Sequence, residues 1–504
     1  MSAFAAPDAS PVLARDGKLP PIESYRPGGL LDRIYSDRRG QISRPKLLAS
    51  VVTLDLAAII GFGLLTQMAG TRGASIGVAL GLAIAAGIAL VFTLQQMWAY
   101  TVRGLREPMP QIGKVLRAGL SVFGALAALG FVLDAAWIDR RALVAWAILT
   151  LAATMLARVV ISHIVRRLGN AGRLVRRTVI VGGGERAEEV IDRLLQRGQS
   201  SIRVLGVFDD RQDDRSAESV KGFPKIGTFE DLGHFCRDEG IDLLIVTIPL
   251  TAEYRLLQVL QKLFELPVDV RLSALSSQVR LDASAYTWIG SVPMFPIFSR
   301  PLSDWDRMLK TAFDRVVGAM ALVAFAPVMA AVALAVRLDS RGPVFFKQKR
   351  YGFNNELIEV WKFRSMYADM ADANAAKLAS RDDARITRVG RIIRKTSLDE
   401  LPQLINVVLG TLSLVGPRPH ATQAKAESEL YEHAVHHYFA RHNVKPGITG
   451  WAQINGWRGE TDTRDKLERR IEHDMHYIEN WSLLLDVYIL AATPFALLNT
   501  RNAY

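Results

Sequence analysis

Between Leu47 and Arg158 the sequence passes through four apolar runs with hardly a charge in them, and no other feature limits the fold as much. The first spans Leu47–Met68 and holds one acid, Asp55. The second spans Ile76–Ala99. The third, Ala118–Leu133, is short, but Lys114 and Arg117 precede it and can snorkel. The fourth starts at Ala142 and continues past Arg158. About 20 apolar residues cross a bilayer as a helix, so one such run alone fits a buried core helix, whereas four in succession predict four spans over residues 46–166. Half of the 504 residues are hydrophobic and the formal net charge is +12. A basic membrane protein places most of that charge on the cytoplasmic side, near anionic lipid. No zinc-finger or RNP signature is present, so nucleic acid is not an expected partner. Cys236 is the single cysteine and excludes an intrachain disulfide.

Lys and Arg orient the spans. Arg33, Arg38, Arg39, Arg44 and Lys46 precede the first; Arg103, Arg106, Lys114 and Arg117 lie between the second and third; Arg166, Arg167, Arg173, Arg176 and Arg177 follow the fourth. The opposite loops carry only Arg72, then Arg140 and Arg141 beside Asp134 and Asp139. Both ends of the bundle are therefore expected in the cytoplasm, after a disordered basic tail over 1–45 that lacks the apolar core of a signal peptide. Residues 175–290 read as a Rossmann-like α/β domain. "RRTVIVGGGERAEEVIDRLL" gives a strand, a glycine turn and a helix, with Gly182, Gly184 and Ala187 fitting G-x-G-x-x-A. "VLGVFDD", "DLLIVTIP" and "VDVRLS" supply further strands. No Tyr-x-x-x-Lys pair follows, since Tyr254 has Gln258 four residues on, which argues against an epimerase or dehydratase. Nucleotide binding and a scaffold that binds nothing stay equal readings.

A fifth apolar run, Val316–Val336, is bracketed by Arg315 and Arg337 and holds Pro327 at its centre. If it crossed, Arg341, Lys347, Lys349, Arg350, Lys362 and Arg364 would lie on the wrong side. A helix-break-helix that enters one leaflet and returns, with the break at Pro327, is the economical solution. A compact, polar, basic region follows, about 338–480. Within it "ADMADANAAKLASRDDARIT", 368–387, reads as an exposed helix and loop, and the tail "NWSLLLDVYILAATPFALL", with Asp486 and Pro494, as an interfacial helix.

The stretch "TSLDELPQL", Thr396–Leu404, sets two acids side by side, Asp399 and Glu400. Ser397 and Glu400 match a capping box, and Leu398, Leu401, Ile405 and Val408 recur at helical spacing, so a helix is expected from a Ser397 N-cap, through Pro402 in the first turn, to Gly410. Arg364, Arg394 and Arg418 supply guanidinium groups suited to phosphate oxygens. An Asp at a helix N-terminus beside arginines stays ionised and can attack phosphorus, and Asp and Glu are natural Mg²⁺ ligands. No P-loop is present. His433, His436 and His437 in "HAVHH" lack a completing acid-and-histidine signature for zinc, and Trp451 and Trp457 read as interface anchors or as packing.

"VFFKQKRYG", "VWKFRSM", "RKTSLDELPQLINVVLGTLSLVGPRP" and "KPGITGWAQINGW" occur in that order. With them the chain resembles the monotopic phosphoglycosyl transferases, the bacterial sugar transferase family, over Pro301–Tyr504. The preceding spans and Rossmann-like domain resemble that family's large members, the polyprenyl-phosphate hexose-1-phosphate transferases. The resemblance implies a membrane α-helical bundle of four spans, a cytoplasmic Rossmann-like α/β domain, and a mainly α catalytic domain over 301–504 with a re-entrant membrane helix over 316–336. It implies transfer of sugar-1-phosphate from a UDP-hexose, glucose before galactose, to undecaprenyl phosphate, with release of UMP, as the first membrane step of exopolysaccharide or capsule synthesis. Asp399 is then the nucleophile that carries the phosphosugar, Glu400 its base or metal support, and Mg²⁺ the cofactor at Asp399 and Glu400. Arg364, Arg394, Arg418 and Lys362 are the expected substrate-binding residues, and a homodimer is the implied assembly. Where family members often have Ser-Pro at the helix break, this chain has Ala326-Pro327. A regulatory nucleotide-sensing membrane scaffold is the rival reading.

Overall fold

The computed structural model describes residues 42–69, 75–133, 139–195, 202–211, 219–276, 286–289, 291–370, 383–420, 425–426, 429–431, 435, 438–457, 459 and 463–498. Most of the expected N-terminal tail, most of the expected exposed loop after Met370 and the three histidines of "HAVHH" lie outside the described residues.

Four long helices come first: α1 (Arg44–Ala69), α2 (Ile76–Gln96), α3 (Pro108–Val132) and α4 (Arg140–Asn170). α1 packs on α2 and α4, and α3 packs on α2 and α4. Small residues set the close approaches. A Cβ on Gly63 would stand 2.8 Å from the Trp146 ring, and the Trp146 indole N–H donates to the Ile59 carbonyl at 2.7 Å. Inside the bundle Arg158 pairs with Asp55 at 2.6 Å, and the Tyr100 hydroxyl donates to the same carboxylate oxygen at 2.8 Å. The Tyr100 ring stacks on Trp305, 5.2 Å between centroids, which ties the bundle to the next long helix. Arg44, at the start of α1, donates to the carbonyl of Leu174, just beyond α4, so the chain enters and leaves the bundle at the same end.

The α/β domain is an eight-stranded sheet in the order β3-β4-β2-β1-β5-β6-β8-β7. Its strands are β1 (Arg176–Val181), β2 (Ile202–Phe208), β3 (Ser219–Val220), β4 (Phe223–Gly227), β5 (Leu243–Val246), β6 (Asp269–Ser273), β7 (Thr287–Ile289) and β8 (Val292–Phe298). β4, β2, β1, β5 and β6 run parallel; β3 pairs antiparallel with β4, β8 with β6, and β7 with β8. Helices α5 (Glu185–Leu195), α6 (Leu232–Glu239) and α7 (Glu253–Leu263) connect them. Every residue of β5 is buried, the continuous apolar run of a strand covered on both faces. The sheet continues to Phe298 through the β6–β8 pairing, past the expected boundary at 290.

α8 (Asp304–Asp339) has 36 residues, about 54 Å at 1.5 Å per residue. Ser303 and Asp306 form a capping box at its start. The expected break at Pro327 is absent: helix runs unbroken through it. A proline removes one backbone donor, and the long apolar helix on either side carries the chain through that single loss. A polar module grips α8 at both ends. Near its start, Lys310 donates to Val415 O at 3.0 Å and to Asp486 at 2.6 Å, and Asp314 accepts from the Leu414 N–H at 3.1 Å. Near its end, Met329, Val332 and Val336 pack with Phe363 and Ile393, and Asp339 accepts from the Val389 N–H at 3.0 Å. Between these grips, Val316, Met320, Val323 and Phe325 expose apolar surface. Among the described residues five helices, α1–α4 and α8, are long and apolar enough to cross a membrane.

The module consists of an antiparallel hairpin, β9 (Phe345–Tyr351) and β10 (Leu357–Phe363); helices α9 (Arg388–Lys395) and α10 (Gln403–Leu409); the parallel pair β11 (Ser413–Val415) and β12 (Gly447–Thr449); and helices α11 (Arg464–Glu479) and α12 (Leu483–Leu498). α12 has 16 residues, too few to cross. It turns Asp486 inward to Lys310 and exposes Leu484, Tyr488 and Phe495. Trp451 stacks on His476, 5.6 Å between centroids, and packs against the module's core.

Candidate active site

The acid pair sits on a single 3-10 turn, Leu398–Glu400, between α9 and α10. The expected capping box at Ser397 does not form. Ser397 is in the left-handed region, φ 58°, without a side-chain cap bond, and α10 begins two residues after the acids with Pro402 at its N-cap position. Gly410 ends α10 in the left-handed conformation, as expected. The physical reason is the destination of Glu400. Its carboxylate accepts two hydrogen bonds from Arg418, at 2.6 and 3.0 Å, and one from Lys362 at 2.9 Å. Three charge-assisted bonds outweigh one backbone cap.

The hairpin supplies Lys362. Register pairs Phe346 with Lys362, Gln348 with Val360 and Arg350 with Ile358, so Lys362 and Arg350 share one face of the two-stranded ribbon. Asn406 fixes α10 to this hairpin: its side chain accepts from the Trp361 N–H at 3.0 Å and donates to the Glu359 carbonyl at 2.7 Å. Arg350 donates to Pro419 O and to Gln348. In the sequence Arg350 reads only as a membrane-proximal charge; the alternation Gln348–Arg350 on a strand is the signal for its place here.

The two acids are in unlike electrostatic states. Burial pushes the carboxyl of Glu400 up, but the adjacent charges of Arg418 and Lys362 outweigh it and hold the group well below the usual carboxylate range. Burial, aided by the Glu400 charge, raises Asp399 to about 6 against the pull of Lys362, Arg394 and Arg418. Arg350 is pushed down to about 10 by burial and by Arg418. Glu400 is thus neutralised by its partners, while Asp399 has no hydrogen-bond partner for its carboxylate among the described residues. Paired carboxylates driven apart in this way are a pattern of assigned chemical roles.

Asp399, Glu400, Lys362 and Arg418 therefore come together, with Arg394 close enough for its charge to act on Asp399. Arg364 does not join them. It is buried, and its guanidinium donates to the carbonyls of Val336, Ser340 and Arg341 and to the Ser340 hydroxyl, closing the C-terminal end of α8. Cations outnumber the two acids around the turn, which suits a ligand with two negative phosphates. Among the described residues no three His, Cys, Asp or Glu side chains cluster to hold a metal. With Glu400 committed to Arg418 and Lys362, Asp399 is the carboxylate left to hold a cation. That fits Mg²⁺ completed by phosphate oxygens and water, and it does not fit an all-protein cage.

Comparison with known proteins identifies both soluble parts of the chain. The family described as Bacterial sugar transferase matches residues 305–500, and one described as CoA-binding domain matches residues 98–274. The glycine turn within the latter is a poor cradle for coenzyme A phosphates. Asp209, paired with Arg255 at 3.2 Å, lies against Gly183, and Glu185 and Glu188 occupy the first helical turn. The chain is 42% identical over 362 residues to an undecaprenyl-phosphate glucose phosphotransferase of Komagataeibacter xylinus, covering 71% of this chain and 66% of that protein. It is 49% identical over 216 residues to a UDP-glucose:undecaprenyl-phosphate glucose-1-phosphate transferase of Escherichia coli K12, covering 43% of this chain and 46% of that one. It is 32% identical over 419 residues to the Xanthomonas campestris pv. campestris protein of the same description, covering 82% and 84%. That last match covers more than two thirds of both proteins, and the chain belongs to the bacterial sugar transferase family in its large, polyprenyl-phosphate hexose-1-phosphate transferase form.

Proposed function

We propose that the protein moves glucose-1-phosphate from UDP-glucose to undecaprenyl phosphate, through a phosphosugar carried on Asp399, at the cytoplasmic face of the inner membrane. The observation that carries this reading is the split acid pair: Glu400 saturated by Arg418 and Lys362, and Asp399 desolvated with an uncommitted carboxylate. An Asp399 oxygen attacks the β-phosphorus. The bond from that phosphorus to the oxygen bridging the two phosphates breaks, and UMP leaves with the electron pair. A phosphate oxygen of undecaprenyl phosphate then attacks the same phosphorus, and the Asp399 carboxylate is released unchanged. Lys362, Arg418, Arg394 and Arg350 offset the charge of both phosphorylated substrates. Mg²⁺ held at Asp399 would add Lewis-acid stabilisation of the departing phosphate. The exposed apolar side of α8 gives the polyprenyl chain and lipid a surface. Because one basic module holds both ends of the unbroken α8, this helix lies along the cytoplasmic leaflet with its exposed apolar side in the lipid and does not cross. The relatives described as glucose-1-phosphate transferases support glucose as the sugar.

The test is UMP release from UDP-glucose by the full chain in lipid nanodiscs with undecaprenyl phosphate and Mg²⁺. Asp399→Asn is expected to lose activity by a factor on the order of 10³ or more. It should also abolish ³²P-labelling of the protein from β-labelled donor. Labelling that persists in this variant would overturn the nucleophile assignment.

A further inference from the structure

The loop that carries Arg418 has an unusual anchorage. Pro417 and Pro419 flank the arginine and have no N–H, so the loop holds itself to the module mainly through its carbonyls. Three successive ones are each taken by a different donor. Pro417 O accepts from the Gly447 N–H at 3.0 Å, Arg418 O from Arg441 Nη2 at 2.8 Å, and Pro419 O from Arg350 Nη1 at 2.6 Å. The middle donor is buried. Arg441 is 1% exposed, and its Nη2 also reaches Asp474 of α11 at 2.6 Å, itself 2% exposed. Its Nη1 faces the ring nitrogens of His420, at 2.6 and 3.0 Å, and its guanidinium lies over the Tyr438 ring. Burial and the Arg441 charge hold His420 well below its ordinary range, so the imidazole is neutral and can accept.

This arrangement answers a demand of the reaction. With no donor bound, the tip of Arg418 is fixed by Glu400. To contact a diphosphate the guanidinium must give up part of that bond, and its tip then loses its anchor at the moment when position matters. Its base must be held by something that neither reacts nor titrates nearby.

Resting on the reading of this site as one for phosphoglycosyl transfer, we propose that Arg441, locked by Asp474, is a positioning residue that fixes the Arg418 backbone so that the guanidinium meets the donor diphosphate. Arg441 acts only through Arg418. Its loss therefore lowers kcat and leaves KM for the donor within about twofold, a misplacement effect rather than a lost contact.

A double-mutant cycle on the full chain in nanodiscs tests this, read as the UMP burst and steady-state rate with UDP-glucose. Arg441→Lys and Asp474→Asn are each expected to lower kcat about 10- to 100-fold. In an Arg418→Ala background the same changes should cost less than about twofold. Asp474→Asn keeps the side-chain shape and provides the folded comparison if Arg441→Lys proves unstable; thermal unfolding of each variant shows whether the loss follows folding. Equal losses in both backgrounds, or losses that track the unfolding temperature, would overturn the positioning role. Wild-type protein that releases no UMP would instead overturn the functional reading on which it rests.

Discussion

Asp399 and Glu400 are neighbours in sequence with opposite assignments. The difference arises from where each side chain ends: Glu400 among Arg418 and Lys362, Asp399 in a desolvated place without a hydrogen-bonded cation among the described residues. The raised group sets the pH dependence. A carboxyl near 6 is protonated below that pH, and a protonated Asp399 cannot attack phosphorus. Activity under kcat/KM conditions is therefore expected to fall roughly tenfold per unit as pH drops below about 6 and to be flat from about 7 upward. A profile that stays flat down to pH 5 would show that Asp399 is not the titrating nucleophile. The acids, Lys362 and Arg418 were legible in the sequence because their motifs sit at fixed places around one turn. The capping box was misread because local spacing cannot show that Glu400 has stronger partners than a backbone N–H.

At the scale of elements, α8 shows what a motif alone leaves open. Arg364 in "WKFRSM" looked like a phosphate ligand, yet its donors satisfy the carbonyls left over at the end of a long helix. Arg364→Met is therefore expected to act on stability, by on the order of 2–3 kcal/mol, lowering the unfolding temperature in nanodiscs while KM for UDP-glucose in the folded fraction changes less than twofold. A large rise in KM at unchanged stability would return Arg364 to the substrate. The expected break at Pro327 is a related case. Sequence gives proline's missing donor, but the long helix around it determines whether the helix ends there.

For the whole molecule, the main question is the side on which each part lies. The start of α1 meets the end of α4, and a single module holds both ends of α8. Cysteine labelling can test the resulting topology, because the native Cys236 is buried. Arg341→Cys and Arg103→Cys should stay unreactive toward an impermeant maleimide in intact spheroplasts and react after lysis. Arg140→Cys, at the opposite end of the bundle, should react without lysis. Labelling of the Arg341→Cys protein in intact spheroplasts would mean that α8 crosses.

By itself the sequence determined the long apolar helices, the parallel centre of the sheet and the order of the motifs. These rest on apolar run length, on strand and helix periodicity, and on residue types at short separations, all local properties of a chain. Only the tertiary structure decided which arginine serves which purpose. Arg350, Arg364, Arg418 and Arg441 carry the same group, and their roles differ through partners 2 to 69 residues away in the chain. A guanidinium's function is set by the oxygens within about 3 Å of it, and those oxygens are brought there by folding.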